Sequence, residues 1–572
     1  MSQDLAPNSR ANRTFIIVLA AATAGGLGLR LWAAFEPSLS LDEALNLTYA
    51  RHISLIFQQF HSPLYIAALK AWVWAFGDSP VALRLPSVLA GAAAVALMGL
   101  LGRRIAGELT GALAACLLAV FPAHVWLSDQ ARGHVFASTL ALAAMWLWWR
   151  LLDSDEGNRA DAIAFGATCL FGFLFHPLFV FLFVGMLCVP ALGRRKGVFS
   201  RKDIRLAVAI PLLGGAASLP ILYKQLVVLL DQMQAFPILA RLTSAQLGDW
   251  IADLSLGGPW SFLWQPDLTN YEFGSEAGPG LSAGDVGSIV LALTGGVLVL
   301  VGTIRALLRR DPDAMGLLTL SYLPLGAILL VSLALPLWSN MTLMLLAPLT
   351  MLLVAYGMQS LRAAAGPVAA VLIVAVGLGV AMNADRLVHE DAAWKKHRSW
   401  DKLAGDLAKR YSGGDNLLVV PGWMSSVLEY HLERHRSEGA FPPDGPLPIV
   451  DVPFDYFDHG EAAKSLKLGI APRTWLVRAN GYGAGEVTKK IEKLDGKLSH
   501  QTQYWRLSLD LYTHVFTTKT LDALAEAKKA DGKADGKADD KKVAATEDAS
   551  AEAEKGADKS PERGSEKSKD GK

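Results

Sequence analysis

Two short stretches carry side chains that could do chemistry. In "SLSLDEALNLTYARH" (38–52) two adjacent carboxylates, Asp42 and Glu43, closely follow the first long apolar run. In "LSDQARGH" (127–134) Asp129 and Arg132 share a loop between two further runs. Carboxylates beside a bilayer can cap a helix, hold a metal ion or act as a general base. Ser40 and Glu43 have the spacing of a capping box, and two acids in a first helical turn suit the helix dipole. That accounts for Glu43 better than for Asp42, and a Glu43→Gln substitution is expected to keep the cap and much of the fold. Helical periodicity places Asp42, Asn46 and Tyr49 on one side and Leu41, Leu45 and Thr48 on another, as in an amphipathic surface helix.

The elements that position these groups follow from composition. Hydrophobic residues make up 52% of the 572 residues, and the formal net charge of +1 excludes a broadly basic nucleic-acid binder. Apolar runs recur at roughly the 20 residues a helix needs to cross a bilayer. The pattern predicts about eleven spans, near 14–35, 81–102, 107–127, 134–152, 161–176, 177–193, 204–223, 284–305, 314–336, 341–359 and 364–382. The first reads as a retained span rather than a cleaved signal. Threading the chain back and forth gathers Arg103, Arg104, Arg150, Arg159, Arg194, Arg195, Lys196, Arg309 and Arg310 on one side with Arg10 and Arg13, and the positive-inside rule makes that side cytoplasmic. Segment 36–80, loop 127–134, His176 and everything after about 383 then lie outside. That face has no ATP or nucleotide sugars, so a group transfer there needs a pre-activated, membrane-borne donor.

The expected organisation is a cytoplasmic N-terminus (1–13), a transmembrane domain (14–383) with outer loop 36–80, a small soluble α/β unit (384–517) and a disordered charged tail (518–572). Within the outer unit, "SWDKLAGDLAKRY" and "SSVLEYHLERH" have helical spacing, whereas "DNLLVVP", "PIVDVP" and "RTWLVRA" read as short strands. The tail, with "KADGKADGKADDKK", cannot bury a core. Cys116, Cys169 and Cys188 fall in apolar runs and read as small core residues. Trp146, Trp148 and Trp149 suit an interfacial aromatic belt, and the acid triplets "DSD" (153–155) and "DPD" (311–313) read as solvated turns. His124 reads as a packed, hydrogen-bonded histidine, and Arg132 alone could be a snorkelling helix-end anchor.

Four motifs occur in order on this topology: "LDE" after the first span, "HSPLY" (61–65), "LRLPS" (83–87) and "SDQAR" (128–132). Together they resemble the polyprenol-phosphate-dependent glycosyltransferases of the GT-C superfamily, the branch with protein O-mannosyltransferases and the bacterial enzymes that add aminoarabinose or galacturonic acid to lipopolysaccharide. The resemblance spans roughly 14–390 and is densest over 36–180. It implies that Asp42 is the base that deprotonates the acceptor and that Glu43 helps to bind acceptor or metal. It implies that His61 lies near the donor phosphate or a metal ion, and that Arg132, Asp129 and His176 belong to the substrate site. A divalent ion held by Asp42, Glu43, His61 and Asp129 is an option. Two departures stand out: Gln130 fills the place of the usual acid before Ala-Arg, and "LWSNMTLMLLAP" (337–348) lacks the usual Arg-Tyr pair. The resemblance further implies a bacterial inner membrane, an active site outside, a polyprenyl-phosphate sugar donor and a cell-envelope acceptor (lipopolysaccharide, glycan or protein).

The chemistry asks for the same groups. An acceptor hydroxyl attacking an anomeric carbon needs one carboxylate within hydrogen-bond reach, and the departing phosphate needs a cation such as Arg132. One base suffices for inversion, unlike the two carboxylates of glycoside hydrolases. A transporter or flippase of a lipid-linked sugar is the competing reading. It would place ionisable groups near the midplane and show repeated halves, whereas here the span centres are nearly free of charge. A scaffold would leave Asp42, Asp129 and Arg132 unexplained.

Overall fold

The computed structural model describes residues 9–35, 38–52, 62–154, 157–192, 197–235, 283–310, 312–332, 345–364, 392–412, 414–420, 422–437, 447, 449–451, 471–479, 485–493, 496–504 and 507–514. The first part is helical: α1 (Ser9–Ala34), α2 (Leu41–Arg51), α3 (Pro63–Phe76), α4 (Pro80–Ala106), α5 (Glu108–Val120), α6 (Pro122–Ser128), α7 (His134–Asp153), α8 (Arg159–Phe175), α9 (Phe179–Leu192), α10 (Lys202–Ala235), α11 (Ala283–Arg309), α12 (Pro312–Ser332) and α13 (Ala347–Ala364). The helix ends are written locally. Ser62 and Ser79 cap α3 and α4, a proline follows each where its missing N–H costs nothing, and Gly77 and Gly107 close the two helices.

Among the described residues, stretches within α1, α4, α7, α10 and α12 are long and apolar enough to cross a membrane, and the chain is a polytopic helical membrane protein. Nine of the expected spans each overlie one helix. The span expected at 107–127 is instead two helices. Phe121 is extended (φ −65°, ψ 110°) because it precedes Pro122, which disfavours helical backbone before it and opens α6. The expected span 364–382 and the tail lie outside the described residues.

Helix α4 packs against α1, α5 and α7. Its approach to α5 is close because both sides are glycine: a Cβ on Gly111 would run into the Gly99 carbonyl and lie 2.6 Å from the Arg103 nitrogen. Two expectations need correction at the end where α4 and α7 finish. Trp148 and Trp149 are fully buried rather than in a belt, Trp148 stacking on Phe165 and Trp149 donating to Asp313 Oδ1 at 2.9 Å. The acid triplets are not simply solvated, since Asp153 and Asp313 both pair with Arg104. Cys116 is exposed, not core.

The C-terminal part is α14 (Ala392–Arg410), β1 (Asn416–Val420), α15 (Ser425–Ser437), β2 (Ile449–Asp451), β3 (Arg473–Ala479), α16 (Gly485–Lys493), β4 (Gly496–Tyr504) and β5 (Leu507–His514). The sheet order is β2-β1-β3-β5-β4, with β1 parallel to β2 and β3, and β5 antiparallel to β3 and β4. Alternation along β3 sends Trp475 and Val477 to the face covered by α14 and α15, and Leu476 to the face covered by α16.

Candidate active site

The capping box of α2 forms as its spacing predicts: the Ser40 N–H donates to Glu43 Oε2 at 2.8 Å and the Glu43 N–H to Ser40 Oγ at 3.4 Å. Glu43 does much more than cap. It is fully buried, and its Oε1 accepts from Arg84 Nε (2.7 Å) and the Ala131 N–H (3.0 Å), while Oε2 accepts from Arg84 Nη2 (2.8 Å) and the Ser40 N–H. Arg84, in the first turns of α4, also donates to the Ser38 carbonyl at 2.7 Å and the Ala34 carbonyl at 3.3 Å. One ion pair thus ties the end of α1, the start of α2, the start of α4 and the loop after α6.

Asn46 completes the join by donating to the Ala131 carbonyl at 2.9 Å, so both polar groups of Ala131 are held from α2. The neighbouring Arg132 is thereby aimed at Asp42, with Nη1 2.9 Å from Oδ2. This pair is different in kind: the Asp42 side chain is 44% exposed and that of Arg132 12%. Ser87 from α4 donates to the Arg132 carbonyl at 3.5 Å. The two adjacent acids therefore have opposite fates. Glu43 has its lone pairs spent on four donors, and Asp42 presents a carboxylate to solvent beside a guanidinium.

The other expected site residues divide. Asp129, in the turn after α6, lies within electrostatic reach of Arg84, Glu43 and Arg30; it keeps some exposed surface, but burial pushes its carboxyl well above the usual range. His176 caps the C-terminus of α8, accepts at Nδ1 from the Leu178 N–H (3.3 Å) and lies ring to ring with His134 at 5.3 Å; burial pulls it down to about 4. His134 stands two residues beyond Arg132, so His176 borders the same loop. His61 lies outside the described residues. His124 is packed as expected, its Nδ1 2.8 Å from Arg30 Nη2.

Helix α2 is not the surface helix its periodicity suggests. Glu43, Ala44, Asn46, Leu47, Tyr49 and Ala50 are all buried, because the C-terminal unit covers one side and α3 and α4 the other. A metal role for Glu43 does not fit, since both its oxygens are taken by Arg84 and backbone N–H groups. Among the described residues no cluster of three or more His, Cys, Asp or Glu side chains could hold an ion. Sequence alone gives no role to Arg84, although it lies in "LRLPS", or to Arg30. Arg30 is fully buried, donating to the Leu118 and Ala119 carbonyls at the end of α5 and to Ser128. The signal was present: a cation inside an apolar run needs a partner, and naming that partner exposes the network.

Residues 60–222 match the family model described as dolichyl-phosphate-mannose-protein mannosyltransferase. The structure is similar to the crystal structure of ArnT from Cupriavidus metallidurans in the apo state, with a TM-score of 0.51 and 13% identity over 88% of this chain and 98% of that one. The chain shares the fold of ArnT. The GT-C resemblance read from the four motifs therefore holds at the level of architecture. ArnT bound to undecaprenyl phosphate is also similar (TM-score 0.48, 12% identity, 87% and 97% coverage). So is the archaeal oligosaccharyltransferase AglB from Archaeoglobus fulgidus, in complex with an inhibitory peptide and a dolichol-phosphate (TM-score 0.45, 12% identity, 81% and 69% coverage). No curated protein matches the chain.

Proposed function

We propose that this protein is a membrane glycosyltransferase that moves a sugar from a polyprenyl-phosphate carrier to a cell-envelope acceptor (a lipopolysaccharide, glycan or protein) with inversion. The observation that carries this reading is the contrast within one helical turn: a saturated Glu43 that only holds structure, and a solvent-reaching Asp42 paired at 2.9 Å with Arg132. The matched description of a dolichyl-phosphate-mannose-dependent enzyme supports the class of donor. In this reading the Asp42 end of the bundle and the C-terminal unit face away from the cytoplasm, in a bacterial inner membrane.

Asp42 accepts the hydrogen bond of the acceptor hydroxyl and takes its proton as the oxygen attacks the anomeric carbon. The bond from that carbon to the phosphate oxygen breaks, and the electron pair leaves with the polyprenyl phosphate. Arg132 meets Asp42 through Nη1, and a guanidinium has five N–H donors in a planar fork, enough to hold a carboxylate and a phosphate together. Donor binding then draws the guanidinium towards the phosphate and loosens its hold on the base. Burial raises the Asp129 carboxyl and lowers the His176 imidazole, so desolvation favours the uncharged form of each beside the site.

The test is transfer by purified full-length protein in lipid nanodiscs, supplied with undecaprenyl-phosphate and dolichyl-phosphate monosaccharides and with envelope extract as acceptor. Comparison of envelope glycans and lipopolysaccharide by mass spectrometry, with and without the gene, should show one missing hexose, pentose or uronic acid. Unchanged glycans together with no transfer would sink the reading.

A further inference from the structure

The C-terminal unit rests on the helix that carries the acid pair. His431 of α15 is fully buried, with Nε2 3.4 Å from both the Ser38 hydroxyl and the Leu39 carbonyl. Its Nδ1 lies 3.5 Å from Asp401 Oδ1 on α14. At the far end of α2, Arg51 reaches Glu433 at 3.4 Å and Asp78 at 2.6 Å, and the Tyr430 hydroxyl donates to the Asp78 carbonyl at 3.3 Å. Between these polar ends, Ala44 and Leu41 belong to the apolar core built by Trp400, Leu403, Leu428 and Leu432.

A buried imidazole between packed helices carries a desolvation cost that an aliphatic side chain would not. Here it reaches backbone and side chain in the lead-in to α2, at a sequence separation of 393 from Ser38 and 392 from Leu39. Ser38 is also fixed from the membrane side, where its carbonyl accepts from Arg84. The two-residue lead-in is thus gripped from both sides, three residues before Asp42.

We propose that His431 is a positioning residue for the transfer reaction: through Ser38 and Leu39 it sets the place of the Asp42 carboxylate, making the C-terminal unit part of the active-site geometry. This rests on the reading of Asp42 as the base. A displacement of about 1 Å at a reacting group can cost on the order of 100-fold in rate. Release of the lead-in should therefore act on turnover, with the donor's phosphate contacts on the loop after α6 left in place.

The experiment uses full-length protein in nanodiscs carrying His431→Ala, His431→Gln, or, as a control, Leu476→Ala, which loosens the opposite face of the same sheet. Hydrogen–deuterium exchange of residues 38–46 is read alongside turnover and the apparent KM for the undecaprenyl-phosphate sugar. H431A should speed exchange in 38–46 at least about tenfold and lower turnover about 10- to 100-fold with KM unchanged. H431Q, which keeps an N–H donor in reach of Leu39, should restore most of both. L476A should lower the thermal midpoint and leave both readouts near wild type. Unchanged exchange in H431A, or equal losses of turnover in H431A and L476A, would overturn the proposal. Because exchange needs no substrate, a wild-type protein that transfers no sugar would count against the activity, while the exchange result still decides the clamp.

Discussion

The Glu43–Arg84 pair makes a sharp claim about stability. Four N–H donors converge on the Glu43 carboxylate, two on each oxygen. A glutamine has one oxygen, so either orientation of its amide turns an NH2 towards two of those donors and leaves the buried Arg84 without its counter-charge. Removing one partner of a buried ion pair costs about 3–5 kcal/mol, and this geometry puts Glu43→Gln in that range. The expectation from the capping box alone, that a glutamine in this place would be benign, is therefore reversed. Asp42→Asn should cost only about 0–1 kcal/mol, because the Asp42–Arg132 pair is partly exposed. Replacing both partners, as Glu43→Leu with Arg84→Met, removes the stranded charge and should recover part of the loss, though not the ties to Ser40 and Ala131. Denaturant titration of detergent-solubilised protein, followed by tryptophan fluorescence, measures all three. A Glu43→Gln variant within about 1 kcal/mol of wild type would refute the reasoning.

Three further outcomes follow from the same structure. In a cysteine-free background, His52→Cys and Lys493→Cys, both at exposed positions, should react with an impermeant thiol reagent in intact spheroplasts, and Arg159→Cys only after lysis; the reverse pattern would invert the topology. Gly111→Ala should separate α4 from α5 and lower the thermal midpoint clearly, and an unchanged midpoint would show that the helices can part without cost. Burial raises the Asp129 carboxyl, partly offset by Arg84, so its favourable share of stability is full below the ordinary aspartate pKa and lost as pH rises through the raised value. Asp129→Asn should therefore gain on wild type in thermal midpoint between about pH 4 and neutrality, and a constant gap across that range would contradict the shift.

Much of the helical part was legible because helix caps and apolar length are local properties. Ser40, Ser62 and Ser79, with their following prolines or acids, mark helix starts from a handful of residues. The break before Pro122 was equally local but was hidden by an uninterrupted apolar run. The acid pair was visible as a pair, and even the structural bias of Glu43 could be read from its spacing to Ser40. Its partner could not, because Arg84 lies 41 residues away and pairing across spans is a tertiary matter. The same holds for Trp148 and Trp149, whose composition suits a belt but whose neighbours enclose them. Strand β5 carries a period-two signal in "LSLDLYTH", whereas β4, "GKLSHQTQY", has no apolar alternation and is a strand only through its pairing with β5. The clamp on α2 had no sequence signal, since His431 looks like any polar residue on an amphipathic helix.

The central claim, that Asp42 is the base, is tested most directly by turnover of Asp42→Asn in the nanodisc transfer assay, with thermal midpoint and undecaprenyl phosphate binding measured on the same preparation. Loss of a general base typically lowers the rate by about 10²–10⁴-fold, and the account predicts a loss of that size with fold and binding intact. A variant that transfers sugar at nearly the wild-type rate would contradict it and move the base elsewhere, with Asp129 next in line.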